Sequence, residues 1–150
     1  MFWAGITSED RTELVFVENG SLNAQRYITE LLIPHAQTAL SVTGSAAVFM
    51  DDNARAHRAG DVDAYLSEVG FRRLDWPARS PNLDPIKHLW EFLKRRVRAV
   101  HPAPQNIREL KIAITAEWER IPQELIKNLV QSMPQRIAAV ISARGGHTRY

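Results

Sequence analysis

SAAVFMDDNARAH, residues 45–57, decides how the chain is layered. Its first six residues are short, continuously apolar and preceded by Gly44, the pattern of a strand buried on both faces of a parallel sheet. Downstream, GDVDAYLSEVG has helical character and closes on Gly70, placed as a helix C-cap, and FRRLDW follows as a second short strand. Strand, helix and strand in that order predict a β-α-β unit with parallel pairing. Upstream, MFWAGIT and TELVFVE are strand-like runs joined by the polar SEDR, which predicts a β-hairpin. ENGS then turns the chain, and Asn23 is placed to cap a helix over roughly residues 24–40. That helix buries Ile28, Leu31 and Leu32, and Pro34 kinks or ends its regular part.

After Trp76 the texture changes. PARSPNLDP has three prolines in nine residues and no periodicity, so it reads as a loop of restricted conformation. Pro85 suits the first position of a helix and Asp84 its N-cap. Ile86, Leu89, Trp90, Leu93, Val97 and Val100 form that helix's apolar face, with a polar row of Lys87, Glu91, Lys94 and Arg98 beside it. HPAPQ links to a helix with a stripe of Ile107, Leu110, Ile114, Trp118 and Ile121. Pro122 opens a last helix, with Pro134 as a kink. Residues 1–150 thus read as one α/β domain with a helical C-terminal third.

Composition narrows the chemistry. With no cysteine, disulfides, thiolate metal sites and cysteine nucleophiles are excluded. No apolar run approaches a membrane span, and MFWAGITSEDRTELVF lacks the basic start and apolar core of a signal peptide. Net charge is +2, but acids dominate SEDRTE and GDVDAYLSE while KRRVR and ARGGHTRY are basic. A basic second half allows a nucleic-acid partner and also fits a solvated helix face.

DDNARAH places two aspartates at the carboxyl end of a parallel strand, where open α/β sheets put their ligands. A carboxylate there suits Mg²⁺ or Mn²⁺; it equally suits a helix cap or a turn. His57 reads as a general base, a metal ligand or a loop-ordering side chain. The cluster Lys94, Arg95, Arg96 and Arg98 follows the candidate site, and basic side chains beside a carboxylate-metal site are what a phosphodiester backbone would require; a solvated helix face explains the cluster equally well.

FMDDNARAH, LDWPARSPNLDPIKHLW and SMPQRIAAVISARGGHTRY, in that order, resemble the catalytic domain of Tc/mariner-type transposases of the DDE superfamily. The opening WAGITSEDRTELVFVENGSLNAQRYITELLIPH is similar to the middle of the same domain, so the resemblance covers nearly the whole chain. It implies an RNase H-like, retroviral-integrase-like α/β fold with a mixed sheet and flanking helices. It also implies three acids that bind two divalent metals, Mg²⁺ or Mn²⁺, for cutting and joining DNA. The second acid maps onto Asp52, followed by Asn53. The third maps onto Lys87, with 34 residues between the two, the spacing of that branch of the family.

The resemblance places the family's first acid on a core strand upstream of Met1, along with a DNA-recognition region. The expectation is therefore a truncated, degenerate domain lacking the first core strand and inclined to self-association. A lysine has donors and no acceptor, so Lys87 cannot ligate a metal. It could instead pair with Asp52 as an internal counter-ion, with Glu91 pairing to Lys87 or Lys94. By family, the expected setting is the nucleus and the expected partner is DNA, through Lys94, Arg95, Arg96 and Arg98, with no membrane and no small-molecule substrate. Two alternatives remain: a metal-dependent transposase completed by an upstream part, and a co-opted protein-interaction or dimerisation domain.

Overall fold

The computed structural model describes residues 1–37, 39, 48–75, 83–144 and 146. They fall into two compact units, Met1–Gly5 with Arg11–Ser80, and Ile6–Asp10 with Pro81–Tyr150.

In the first unit, β1 (Phe2–Trp3) and β2 (Val15–Phe16) form the expected antiparallel hairpin, with Phe2 opposite Phe16 and Trp3 opposite Val15. The two phenyl rings meet edge to face at 6.3 Å. The ladder is extended beyond the strands where Val17 N donates to Met1 O at 2.9 Å. Helix α1 starts at Ala24 because Asn23 Oδ1 accepts from Arg26 N at 2.9 Å, satisfying one of the free N-terminal donors. From Tyr27 to Ala36 the winding widens to π-helical, with Gln37 N–H reaching back to Leu32 O. Pro34 sits inside this stretch rather than ending it. A proline ring collides with the carbonyl four residues earlier in α winding, and a wider turn relieves the collision.

The β-α-β order and its parallel pairing are present as read, but the expected burial on both faces is corrected: Val48 of the first strand is 40 % exposed. β3 (Val48–Phe49) pairs in parallel with β4 (Arg72–Arg73), Val48 against Arg72 and Phe49 against Arg73, across helix α2 (Gly60–Glu68). Gly70, at φ +79°, ends the helix: its N–H reaches Ser67 O at 3.2 Å and Phe71 N–H reaches Leu66 O at 2.8 Å. That paired closure needs a left-handed residue, which glycine supplies without a Cβ penalty. Among the described residues the hairpin and the parallel pair are two separate two-stranded sheets. Val17, Tyr27, Ile28, Leu31, Leu32, Ala36, Val62 and Leu66 form the core, with Trp3, Phe49 and Phe71 packed on it. Residues 45–47 of the first expected strand, 76 of the second and 77–82 of the proline loop lie outside the described residues.

The second unit is helical: α3 (Pro85–Arg98), α4 (Ile107–Glu119), α5 (Gln123–Gln131) and α6 (Met133–Ser142). Leu89 and Leu93 of α3 are buried, together with Leu83, Trp118, Ile121 and Ile126. Trp90 stacks on Trp118 with ring centroids 5.3 Å apart. Helix α4 begins at a reciprocal cap in which Asn106 Oδ1 accepts from Glu109 N at 2.9 Å and Glu109 accepts from Gln105 N at 2.7 Å. The α4 stripe is buried only at its end, at Trp118 and Ile121, while Ile107 is 74 % exposed. One expectation is corrected here. The last helix is two helices: Pro134 follows a break at Ser132, where the chain leaves α5 and enters α6.

Candidate functional site

The loop after β3 is built around Asp51, whose carboxylate is 6 % exposed. Arg73 of β4 grips it with both arms, Nε to Oδ1 at 3.0 Å and Nη2 to Oδ2 at 2.6 Å. Arg73 Nη2 also donates to His57 O at 2.5 Å, and its Nη1 to the Asp63 carboxylate of α2. Arg58 Nη2 lies 3.6 Å from Asp51 Oδ1, and the Tyr27 hydroxyl donates to Oδ2 at 3.4 Å. Burial, then the Asp51 charge, pushes the Tyr27 phenol well above its usual range, so it stays a donor. One guanidinium thus ties the parallel pair, the helix and the loop together. A buried carboxylate needs that many partners to offset its lost hydration.

Asp52 faces outward. Its Oδ1 accepts from Ala54 N at 3.0 Å, closing a local turn, and lies 2.9 Å from His57 Nδ1. The His57 ring stacks on Tyr27 at 4.2 Å between centroids. The turn reading and the site reading of Asp52 are therefore compatible: one oxygen shapes the loop while the side chain remains accessible.

Lys87 lies in the first turn of α3, in the second unit. Its Nζ is 3.6 Å from Oδ2 of Asp84, which is buried. Asp84 has the extended backbone of an N-cap but no side-chain cap bond to α3. Glu91 pairs with Lys94 at 3.3 Å, one of the two partners expected for it. Along the same helix, Lys94, Arg95, Arg96 and Arg98 are all exposed. They are not equivalent. Arg96 Nε donates to the buried Glu117 at 2.5 Å, and Arg120 Nη1 donates to the other Glu117 oxygen at 2.6 Å. Those two bonds, Arg120's first, hold the Glu117 carboxyl below its ordinary range. The buried Arg136 of α6 donates to Ser132 Oγ and places Nη1 2.7 Å from His88 Nε2. Two of the quoted motifs, PIKHLW and SMPQRIAAV, touch through that contact.

Residues 2–111 match the family profile described as DDE superfamily endonuclease. The chain belongs to the DDE superfamily endonucleases. This DDE-superfamily chain is 31 % identical over its whole length to the Tc3 transposase of Caenorhabditis elegans, of which it covers 45 %. It is 35 % identical over 83 % of its length to the Tcb1 transposase of Caenorhabditis briggsae, covering 46 % of that protein. It spans less than half the length of these curated relatives. A structure of the Mos1 transposase catalytic domain with raltegravir and Mg superposes with a TM-score of 0.80 over 95 % of this chain and 73 % of that one, at 19 % identity. A Mos1 paired-end complex with the left transposon end gives 0.78 over 93 % of this chain and 42 % of that one, again at 19 % identity. The expected RNase H-like architecture is therefore the fold of this DDE-superfamily chain.

Relatives of this fold have been solved with Mg and with Mn. In this DDE-superfamily chain, no three His, Cys, Asp or Glu side chains are grouped to hold a metal ion among the described residues. Both Asp51 oxygens are taken by Arg73, and Lys87 has no lone pair to give. Asp52 is one carboxylate, short of the oxygen set a hard divalent cation takes. The described residues do not fit the metal centre that the resemblance implies.

Sequence reading missed Arg73. Its signal was the alternation in FRRLDW: Phe71 and Arg73 are partly buried while Arg72 and Leu74 are exposed, so Arg73 shares the inner face with an aromatic.

Proposed function

We propose that this chain is the DNA-contacting, catalytically disabled core of a Tc1/mariner-type transposase. One observation carries the loss of catalysis: Lys87, at the position where the resemblance puts the third acid, presents an ammonium to Asp84 instead of a carboxylate to a metal. Asp52 remains as the second acid of the triad, with one accessible carboxylate. DNA contact is supported by the exposed cations of α3 and by the Mos1 relative solved with a transposon end. The place of action is the nucleus, where a eukaryotic element meets its DNA.

The test is binding of duplex DNA to the full chain across a salt series, together with nicking of supercoiled plasmid in Mn²⁺. Affinity should fall steeply with salt, and neutralising Arg95 and Arg98 should flatten the slope by about two. No binding at low salt refutes the DNA reading. Nicking by the unmodified chain refutes the loss of catalysis.

A further inference from the structure

We propose that the basic face of α3 takes an unpaired nucleotide of a DNA strand, its base on a shelf of Phe92, Arg95 and Arg96 and its phosphate between Arg96 and Arg120. The proposal rests on the DNA-contact reading above and adds the form of DNA and the side chains that select it. The Arg95 and Arg96 guanidinium carbons lie 5.9 and 5.8 Å from the centroid of the Phe92 ring. With Ala99 they line an open hollow of about 340 Å³. A second hollow of about 380 Å³ shares Arg96 and Ala99 with it and continues along Val100 and His101 to Glu117 and Arg120.

Three features of this groove select an occupant. Its size falls at the low end of small-ligand sites, which suits a single nucleotide. A duplex keeps its bases stacked inside and offers such a hollow only its backbone, whereas a single strand can lay a base into it. Its floor offers flat π surfaces, an aromatic ring and guanidinium planes, which every nucleobase can stack on. Its lining charge is positive, three guanidiniums against one carboxylate. Buried Glu117 does not cancel this; it fixes two of those guanidiniums by one bond each while leaving Arg96 41 % and Arg120 66 % exposed. Cations already held in place lose little freedom when they meet a phosphate.

The probe is a fluorescently labelled oligo-dT of about 12 nucleotides, within the usual single-strand site size, compared with a duplex of equal length, both in EDTA. Phe92→Leu keeps a half-buried apolar side chain and removes the ring. It should cut single-strand affinity roughly tenfold, the cost of one lost base stack, and leave duplex affinity unchanged. Arg120→Gln should lower the single-strand salt slope by about one. A 2-aminopurine placed in the oligonucleotide should change its fluorescence on binding to the unmodified chain and not on binding to the Phe92→Leu chain. Equal loss for both DNA forms, no loss for either, or equal displacement by a poly-glutamate peptide overturns the shelf. If neither DNA form binds at low salt, the underlying DNA reading fails with it. If duplex binding persists while Phe92→Leu is silent, only the shelf fails.

Discussion

Replacing Lys87 with glutamate is the obvious way to restore an acid to the site, and the structure says it should first damage the fold. Lys87 Nζ lies 3.6 Å from a carboxylate that is 8 % exposed, while the lysine itself is 42 % exposed. At that distance a unit-charge pair is worth about 1 kcal/mol at a dielectric of 80 and about 2 kcal/mol at 40, the range suited to a half-wet pair. Lys87→Glu reverses the sign, so the swing is twice that, about 2–4 kcal/mol. A glutamate at the third helical position gains about 0.5 kcal/mol from the helix dipole, which offsets a little of it. The net expectation is a loss of about 2–3 kcal/mol. Asp84→Asn removes the repulsion and keeps an N-cap residue. The double variant should therefore recover most of the loss, a coupling well above the scatter of additive sites. Urea unfolding of the four chains reads the cycle directly. A Lys87→Glu chain as stable as the parent, or a double variant no better than Lys87→Glu alone, refutes the reasoning.

Arg73→Met should cost about 3–5 kcal/mol in urea unfolding, because it strands the buried Asp51 carboxylate. Adding Asp51→Asn to that chain should restore much of the loss. The Glu117 carboxyl is held below its ordinary value of 4.5, so its share of stability is complete above pH about 4.5 and disappears as pH falls through the lowered folded value. Thermal melts should show that acid limb in the parent chain and a shallower one in Glu117→Gln.

Local signals gave the clearest reading. The Asn23 cap, the Gly70 stop and the β-α-β order each rest on a few adjacent residues, and each is present in the structure. Where distant groups decide, the sequence was less legible. Pro34 is absorbed by a change of winding, which no composition signal announces. The α4 stripe has the right period for a buried face, but period does not say whether anything covers it, and Ile107 is left in solvent. Asp84 looked like a simple cap, yet its carboxylate lies beside Lys87 and makes no side-chain cap bond. The Asp51–Arg73 grip joins residues 22 apart, beyond the reach of any spacing rule. Asp52 and Lys87 were singled out through the resemblance, whereas their neighbours in the structure, Ala54 and Asp84, were not read as their partners.

That grip also sets an order of events. The buried Asp51 carboxylate meets Arg73 only where β4 lies beside β3, so the expectation is that it leaves water late in folding. The loop is then expected to close late and open early. Substitutions at Arg73 should speed unfolding far more than they slow folding. The segment bearing Asp52 would then be set by how often β4 lets go, a clock rather than a shape.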